Sequence, residues 1–244
     1  MAKSPAAEQF KLLELQAFDS ALKALSTRLT QLDQDPRLPV LRSAVEETKA
    51  GAAEAVQARE VVKKALTGLE DEVGALDTKI ERDTVRLNAG GLSKDLMALQ
   101  KDIETLSALK SSKEDTELEL MEELESAEAE VSTRQDALAE AQRQLDAVQE
   151  ELGGLRAVSL EEKTKVSLER EAFAGTIDQA LLALYQKTLD RRGVGAARLF
   201  HGHSEGSGMD LSPGDLAEVR AAAEDEVVYC PDSGVILVRS PEWV

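Results

Sequence analysis

A hydrophobic repeat with alternating steps of three and four residues constrains this chain most. Leu15, Phe18, Leu22, Leu25, Leu29 and Leu32 follow it, the a/d seam of a coiled coil. The seam stops at Asp35-Pro36-Arg37-Leu38-Pro39. Proline lacks an amide donor and clashes with the preceding turn, so the helix breaks near 35–39. The repeat resumes at Val62, Leu66, Leu69, Val73, Leu76, Ile80 and Leu87, with Thr84 assigned to the remaining slot. Asn88-Ala89-Gly90-Gly91 is a loop signal, and Ser93 is a suitable cap for the next helix. Leu96, Leu99, Ile103 and Leu106 restart the seam, and Leu120, Leu124, Ala127, Val131, Arg134, Leu138, Ala141, Leu145, Val148 and Leu152 continue it.

Two heptad segments joined by a short loop predict a long antiparallel coiled-coil hairpin with its tip near 88–93. At ~1.5 Å per residue its first arm, from residue 39 to 88, spans about 75 Å. Lys110 and Lys113 fall near seam positions and predict local splaying. The stretch Glu114–Glu130 has nine acidic residues and no basic one; a solvated helix face explains it better than an acidic docking strip. Gly153-Gly154 should weaken the returning helix. A small base bundle is expected, in which helix 1 (about 6–33) packs on a last helix (about 155–190) through Val166, Phe173, Ile177, Leu181, Leu184 and Tyr185. Arg191 and Arg192 close that helix, and Gly193 ends it. We therefore divide the chain into a helical part, 1–192, and a small β-containing part, 193–244.

Composition agrees. Seven aromatics in 244 residues cannot anchor a large globular core. The formal charge of −18 opposes general nucleic-acid binding, which needs cations to displace phosphate counterions. There is no apolar leader and no run of about 18 apolar residues, so a soluble cytoplasmic protein without membrane contact is expected.

From residue 193 the character changes to Gly- and Ser-rich segments with short β-prone runs. Val227-Val228-Tyr229 and Val235-Ile236-Leu237-Val238 flank a turn at Pro231-Asp232-Ser233-Gly234 and predict a hairpin. One cysteine, Cys230, excludes a disulfide framework and a four-cysteine metal site. Yet writing cysteine for Ser204, Ser207 and Ser233 gives C-x₂-C-x₂₂-C-x₂-C, the spacing of a zinc ribbon.

These residues carry a resemblance. Leu12-Leu13-Glu14-Leu15-Gln16, Ala183-Leu184-Tyr185, Gly195-Ala196-Ala197-Arg198-Leu199 and the tail from Met209 to Arg239 are similar to the bacterial C4-type zinc-ribbon family with an N-terminal coiled-coil hairpin. The resemblance covers nearly the whole chain and is most specific in the tail. It implies zinc in typical members, and partners such as an alternative sigma factor, secretion components or, in some members, RNA. This chain departs at three of the four ligand positions. One thiolate with three neutral hydroxyls should not hold Zn²⁺, so no cofactor is expected. Packing of Leu199, Phe200, Met209, Leu211, Leu216 and Val219 must then hold the tail.

Other constellations are weaker. His201 and His203 could join Cys230 and Asp232 around a metal, but their spacing is out of register with the ribbon. Asp232 beside Cys230 should raise rather than lower the thiol pKa, which opposes a redox role. Ser204, His203 and Asp210 imitate a nucleophile, base and orienter, yet lie within one glycine-rich loop with no oxyanion site; an enzyme with a small-molecule substrate is not expected. The basic residues Arg82, Arg86 and Lys94 near the tip, and Arg191 and Arg192, are the candidate partner contacts, interleaved with acids that can pair them. The leading functional expectation is a non-catalytic adaptor or chaperone-like scaffold for a protein partner. The alternative is a nucleic-acid-binding regulator acting through the tip.

Overall fold

The structure is a computed structural model that describes residues 2–239. It is mainly α, with a long coiled-coil hairpin and a small C-terminal sheet. The helices are α1 (Ala6–Asp33), α2 (Arg37–Asn88), α3 (Ser93–Ala174), α4 (Gln179–Arg192) and α5 (Pro213–Ala221). The strands are β1 (Ala196–Phe200), β2 (His203–Ser204), β3 (Met209–Asp210), β4 (Val228–Tyr229) and β5 (Ile236–Arg239). Two compact units result: residues 36–150 form the arm, and residues up to Asp35 with those from Glu151 onward form the base. Residue 193 thus marks a change from helix to sheet within one unit.

In the arm, Pro36 precedes α2 and Pro39 lies in its first turn, where an amide has no helical acceptor to lose. The seam begins earlier than the apolar residues alone indicate. Leu41, Val45, Thr48, Ala52, Ala55 and Arg59 lead into Val62 with the same alternation, all partly or fully buried. Small and polar residues hid these positions. The slot given to Thr84 belongs to Asp83, which is 8% exposed: stepping three from Ile80 and four to Leu87 requires it. Asp83 is held by Arg82 (Nε to Oδ1, 3.1 Å) and Arg86 (3.7 Å).

The predicted splaying at Lys110 and Lys113 is replaced by ion pairs between the helices. Lys110 Nζ reaches Asp77 Oδ1 at 2.5 Å, and Lys113 Nζ reaches Glu72 Oε2 at 2.5 Å. The lysine stems cover the seam while their ammonium groups reach outward. Hydrogen bonds from Lys110 to Asp77 and Glu114 raise its pKa. At the tip Gly90 takes φ +80°. Ser93 is the first helical residue rather than the cap, and the Leu92 carbonyl accepts from the amides of Asp95 (2.9 Å) and Leu96 (3.1 Å).

Gly153 and Gly154 do not interrupt α3, which is 82 residues long. Each costs about 1 kcal/mol relative to alanine, too little to break a helix continued on both sides. The break comes at Gly175, and Asp178 caps α4 by accepting from the amides of Ala180 and Leu181, both at 3.0 Å. The helix predicted over 155–190 is therefore two.

The base is built around a five-stranded sheet of order β3-β2-β1-β5-β4, in which β1 and β5 are parallel and the other neighbours antiparallel. The predicted hairpin is β4–β5. Alternation along β5 divides the core. Ile236 and Val238 pack with Leu12, Leu15, Leu181 and Tyr185 of the helices and with Ile177 of the turn between α3 and α4. Leu237 packs on the other face with Leu199, Leu211, Val219 and Cys230. Of the residues expected to hold the tail, Met209 does not, its side chain being exposed, and Phe200 belongs to neither core, lying instead against Arg198 and His201.

A polar network pins the helices to β1. Tyr185, fully buried, donates to Asp19 Oδ2 at 2.7 Å and lies 3.2 Å from Gln16 Oε1. Gln16 Oε1 also accepts from the Gly195 amide at 2.6 Å. Arg170 Nε closes on Asp19 Oδ1 at 2.7 Å. Gly195 lies so close to the Tyr185 ring that a Cβ there would overlap it. Burial, with the hydrogen bond to Asp19, pushes the Tyr185 phenol up. Arg239 works similarly at the far end, donating to the carbonyls of Val219, Ala222, Ala223, Glu224 and Glu226.

Candidate functional site

The four ribbon positions lie on two turns of matching geometry. In the first, Ser204 ends β2, Ser207 follows three residues on, and the Gly208 amide donates back to the Ser204 carbonyl at 2.8 Å. In the second, Cys230 is followed by Ser233, and the Gly234 amide donates to the Cys230 carbonyl, again at 2.8 Å. Gly208 and Gly234 both sit at φ +69°, a backbone that favours glycine. Two such knuckles facing one another are the backbone of a tetrahedral zinc site.

The turns bring their side chains together. Ser204 is fully buried and Cys230 is 1% exposed; the Ser204 hydroxyl donates to the Cys230 sulfur at 3.5 Å. The Ser207 hydroxyl is buried with no hydrogen-bond partner among the described residues, which typically costs about 1–3 kcal/mol, and the Ser233 hydroxyl is buried beside the Cys230 sulfur; the two stand at the second position of each knuckle. Burial pushes the Cys230 thiol up. Hydrogen bonding from the Ser204 and Ser233 hydroxyls and from the backbone of Ser233 and Asp232 outweighs it, so the thiol lies below its ordinary value. This corrects the direction expected from the Asp232 charge: the backbone at Asp232 acts on the sulfur. The donor set still does not fit zinc, because three of its four oxygen or sulfur donors are neutral hydroxyls.

The rival constellations do not assemble. Among the described residues no group of three or more His, Cys, Asp or Glu side chains is placed to hold a metal, so His201, His203, Cys230 and Asp232 do not form a cluster. His201 stacks edge-on against Phe200, and His203 Nδ1 lies 2.9 Å from Asp210 Oδ1 on the surface. His203 and Ser204 are consecutive on β2 and point to opposite faces, which separates the imagined base from its nucleophile. Of the basic candidates, Arg82 and Arg86 are engaged with Asp83. The Arg192 guanidinium lies against the second knuckle, 3.0 Å from where a Cβ on Gly234 would stand. Arg191 and Arg192 line a shallow hollow of about 200 Å³ with Lys187 and Tyr229.

Comparison with known proteins bears on this architecture. Residues 15–193 match the family described as the CT398-like coiled coil hairpin domain. The chain belongs to that family. Residues 203–237 match the C4-type zinc ribbon domain, the stretch containing both knuckles, with one cysteine where that description calls for four. The uncharacterized protein Rv2229c of Mycobacterium tuberculosis is 32% identical over 246 residues, covering 97% of each chain. A solved structure from Mycobacterium smegmatis superposes with a TM-score of 0.84 at 27% identity, covering 97% of this chain and 100% of that one. CT398 from Chlamydia trachomatis superposes at 0.64 with 17% identity, covering 96% of this chain and 98% of that one, and shares the fold.

The sequence reading missed Asp19 and Arg170. Both lie on charged, surface-patterned helices, and only Tyr185 across the bundle shows that Asp19 is needed. The family-like stretches around Gln16, Tyr185 and Gly195 are the other members of that network.

Proposed function

We propose that this protein is a non-catalytic adaptor or chaperone-like scaffold that binds a protein partner through its coiled-coil arm and its ribbon-like sheet. The observation that carries this reading is the set of large apolar side chains left exposed outside the seam. Val61, Val85, Met97, Leu118 and Met121 along α2 and α3, and Leu92 in the tip loop between them, are each at least half exposed. Helices that keep apolar groups outside their own seam suit recognition of another helix or groove. A buried Ser204 separated from His203 supports a role without catalysis. The test is an affinity capture from native lysate, with and without nuclease, using the full chain and a variant with the arm shortened about the tip. Nuclease-resistant partners lost on shortening the arm support the reading; partners indifferent to both the arm and the sheet overturn it.

A second reading, nucleic-acid contact at the tip, has one observation in its favour. Over residues 79–101 five Lys or Arg stand against three Asp or Glu in an otherwise acidic chain. Its test is the salt dependence of RNA and DNA affinity: each phosphate neutralised steepens the slope by about 0.9 for duplex DNA and about 0.7 for single strands. No binding at low salt removes this reading.

A further inference from the structure

The edge of the sheet at β4 is half covered. The register Val228↔Leu237 and Tyr229↔Ile236, with the Cys230 amide donating to the Val235 carbonyl at 2.8 Å, sets the alternation of the strand. Val228 and Cys230 direct their backbone groups toward β5. Val227 and Tyr229 direct theirs outward. On that outer side the N-terminal segment runs antiparallel to residues 225–227. The Ser4 amide donates to the Asp225 carbonyl at 2.7 Å, and the Val227 amide donates to the Ala2 carbonyl at 3.0 Å. Lys3 bridges Glu226 and pairs with Asp225 at 3.0 Å. Among the described residues the covering ends there, and the Tyr229 amide and carbonyl have no backbone partner.

A groove of about 440 Å³ runs beside this open edge. One wall is α5, with Glu218, Val219 and Ala222; the other is the strand, with Val227, Val228 and Tyr229. An edge strand facing a helix across an apolar groove can accept an extended segment as an added strand. The backbone supplies register, and alternate side chains enter the groove. The charge of the lining selects the occupant. Asp215, Glu218 and Glu226 line it, with no Lys or Arg. Asp215 is engaged by Ser212 at 2.6 Å, whereas Glu218 and Glu226 have no ion-pair partner among the described residues.

We infer that the groove between β4 and α5 takes an extended, basic segment of a partner protein, which adds a strand at Tyr229 and places Lys or Arg against Glu218 and Glu226. This deepens, and rests on, the reading of the chain as a protein-binding scaffold. The groove and the arm are testable apart.

The test is fluorescence polarisation on the full chain at about 0.15 M salt, where long-range attraction is screened beyond about 8 Å. The probe is a labelled eight-residue peptide alternating valine and lysine. Two controls are the same peptide with glutamate for lysine, and the lysine peptide N-methylated at alternate backbone amides. The lysine peptide is expected to bind and the glutamate peptide not. N-methylation on the edge-facing side should weaken binding at least about tenfold, as should Glu218→Lys with Glu226→Lys, whose fold is checked by circular dichroism. Amide NMR shifts should centre on residues 227–230. Binding indifferent to N-methylation would mean plain attraction to an acidic chain and would overturn the proposal. So would unchanged affinity in the double variant, absence of binding, or a dimer in sedimentation that occupies the edge with a second copy. Loss of the peptide site with arm-dependent partners retained sinks only the groove; the reverse sinks only the arm.

Discussion

The arm and the base are of similar length but are held together by different means. Of the 25 buried apolar residues in the described chain, six lie in the arm and nineteen in the base. The arm repeats one weak layer many times, and its charged layers at Lys110 and Lys113 show that single layers can be polar. The base has few repeats. Its sheet has a core on each face, and its polar groups act in unique combinations. A change in the arm should therefore act locally and modestly, and a change in the base should act on the whole unit.

The largest expected effect is a gain. Ser204→Cys, Ser207→Cys and Ser233→Cys together place four thiols on the two knuckles, and the triple variant should take up one Zn²⁺ per chain. Structural zinc sites of this kind bind with on the order of 10 kcal/mol at neutral pH, so thermal stability should rise sharply and fall on chelation. Elemental analysis beside a melting curve checks it; a triple variant that purifies with vacant thiols and ignores added zinc would show the knuckles to be wrongly spaced.

Next, Asp19→Ala removes the carboxylate shared by Arg170 and the Tyr185 hydroxyl, leaving them only the neutral amide oxygens of Gln186 and Gln16. Breaking a largely buried pair this way costs about 3 kcal/mol, which urea unfolding of the base would register. Equal stability would mean that the network is incidental to the packing.

The third effect is alkaline. Tyr185 has a folded pKa raised above its unfolded value, so its contribution is fully present below the ordinary tyrosine pKa and is lost as pH rises above it. Cys230 has a lowered folded pKa, so its contribution is present above the ordinary thiol pKa and is lost as pH falls through the folded value. Above about pH 10 the tyrosine governs. Stability should decline there in the native chain, and Tyr185→Phe should flatten the decline. An identical slope in both proteins would remove Tyr185 as the cause.

The smallest effect belongs to the arm. Lys113→Leu exchanges one interhelical ion pair for an apolar layer and should shift stability by no more than about 1 kcal/mol in either direction. A loss of several kcal/mol would mean that the charged layer fixes the pairing of α2 with α3, and the contrast with the base would weaken.

The heptad arithmetic exposed the arm because a seam of Leu and Val is periodic. It failed where seam positions are not apolar: Thr48, Arg59 and Asp83 occupy slots that only the spacing reveals. The C4 ribbon spacing located both knuckles, since Ser204, Ser207, Cys230 and Ser233 keep the separations after losing three sulfurs. The turn glycines explain why, as each knuckle is closed by its own backbone hydrogen bond. What could not be read was anything joining distant segments. The parallel pairing of β1 with β5, the Asp19–Tyr185–Arg170 network and the Ala2–Val227 contact bring together residues with no local pattern. The helix α5 was missed because its apolar face is only Leu216 and Val219.

The base is assembled from the two ends of the chain, and this bears on how the protein is made. Leu12 and Leu15 of α1 are buried against Ile236 and Val238 of β5. On a ribosome adding about 5–20 residues per second, α1 waits roughly 10–45 s for the strand that covers it, while the arm has already been completed from neighbouring sequence. During that interval its leucine face is uncovered on a nascent chain. The stage of synthesis at which this protein most needs protection from aggregation therefore lies after its longest helices have formed, and ends only when β5 is made.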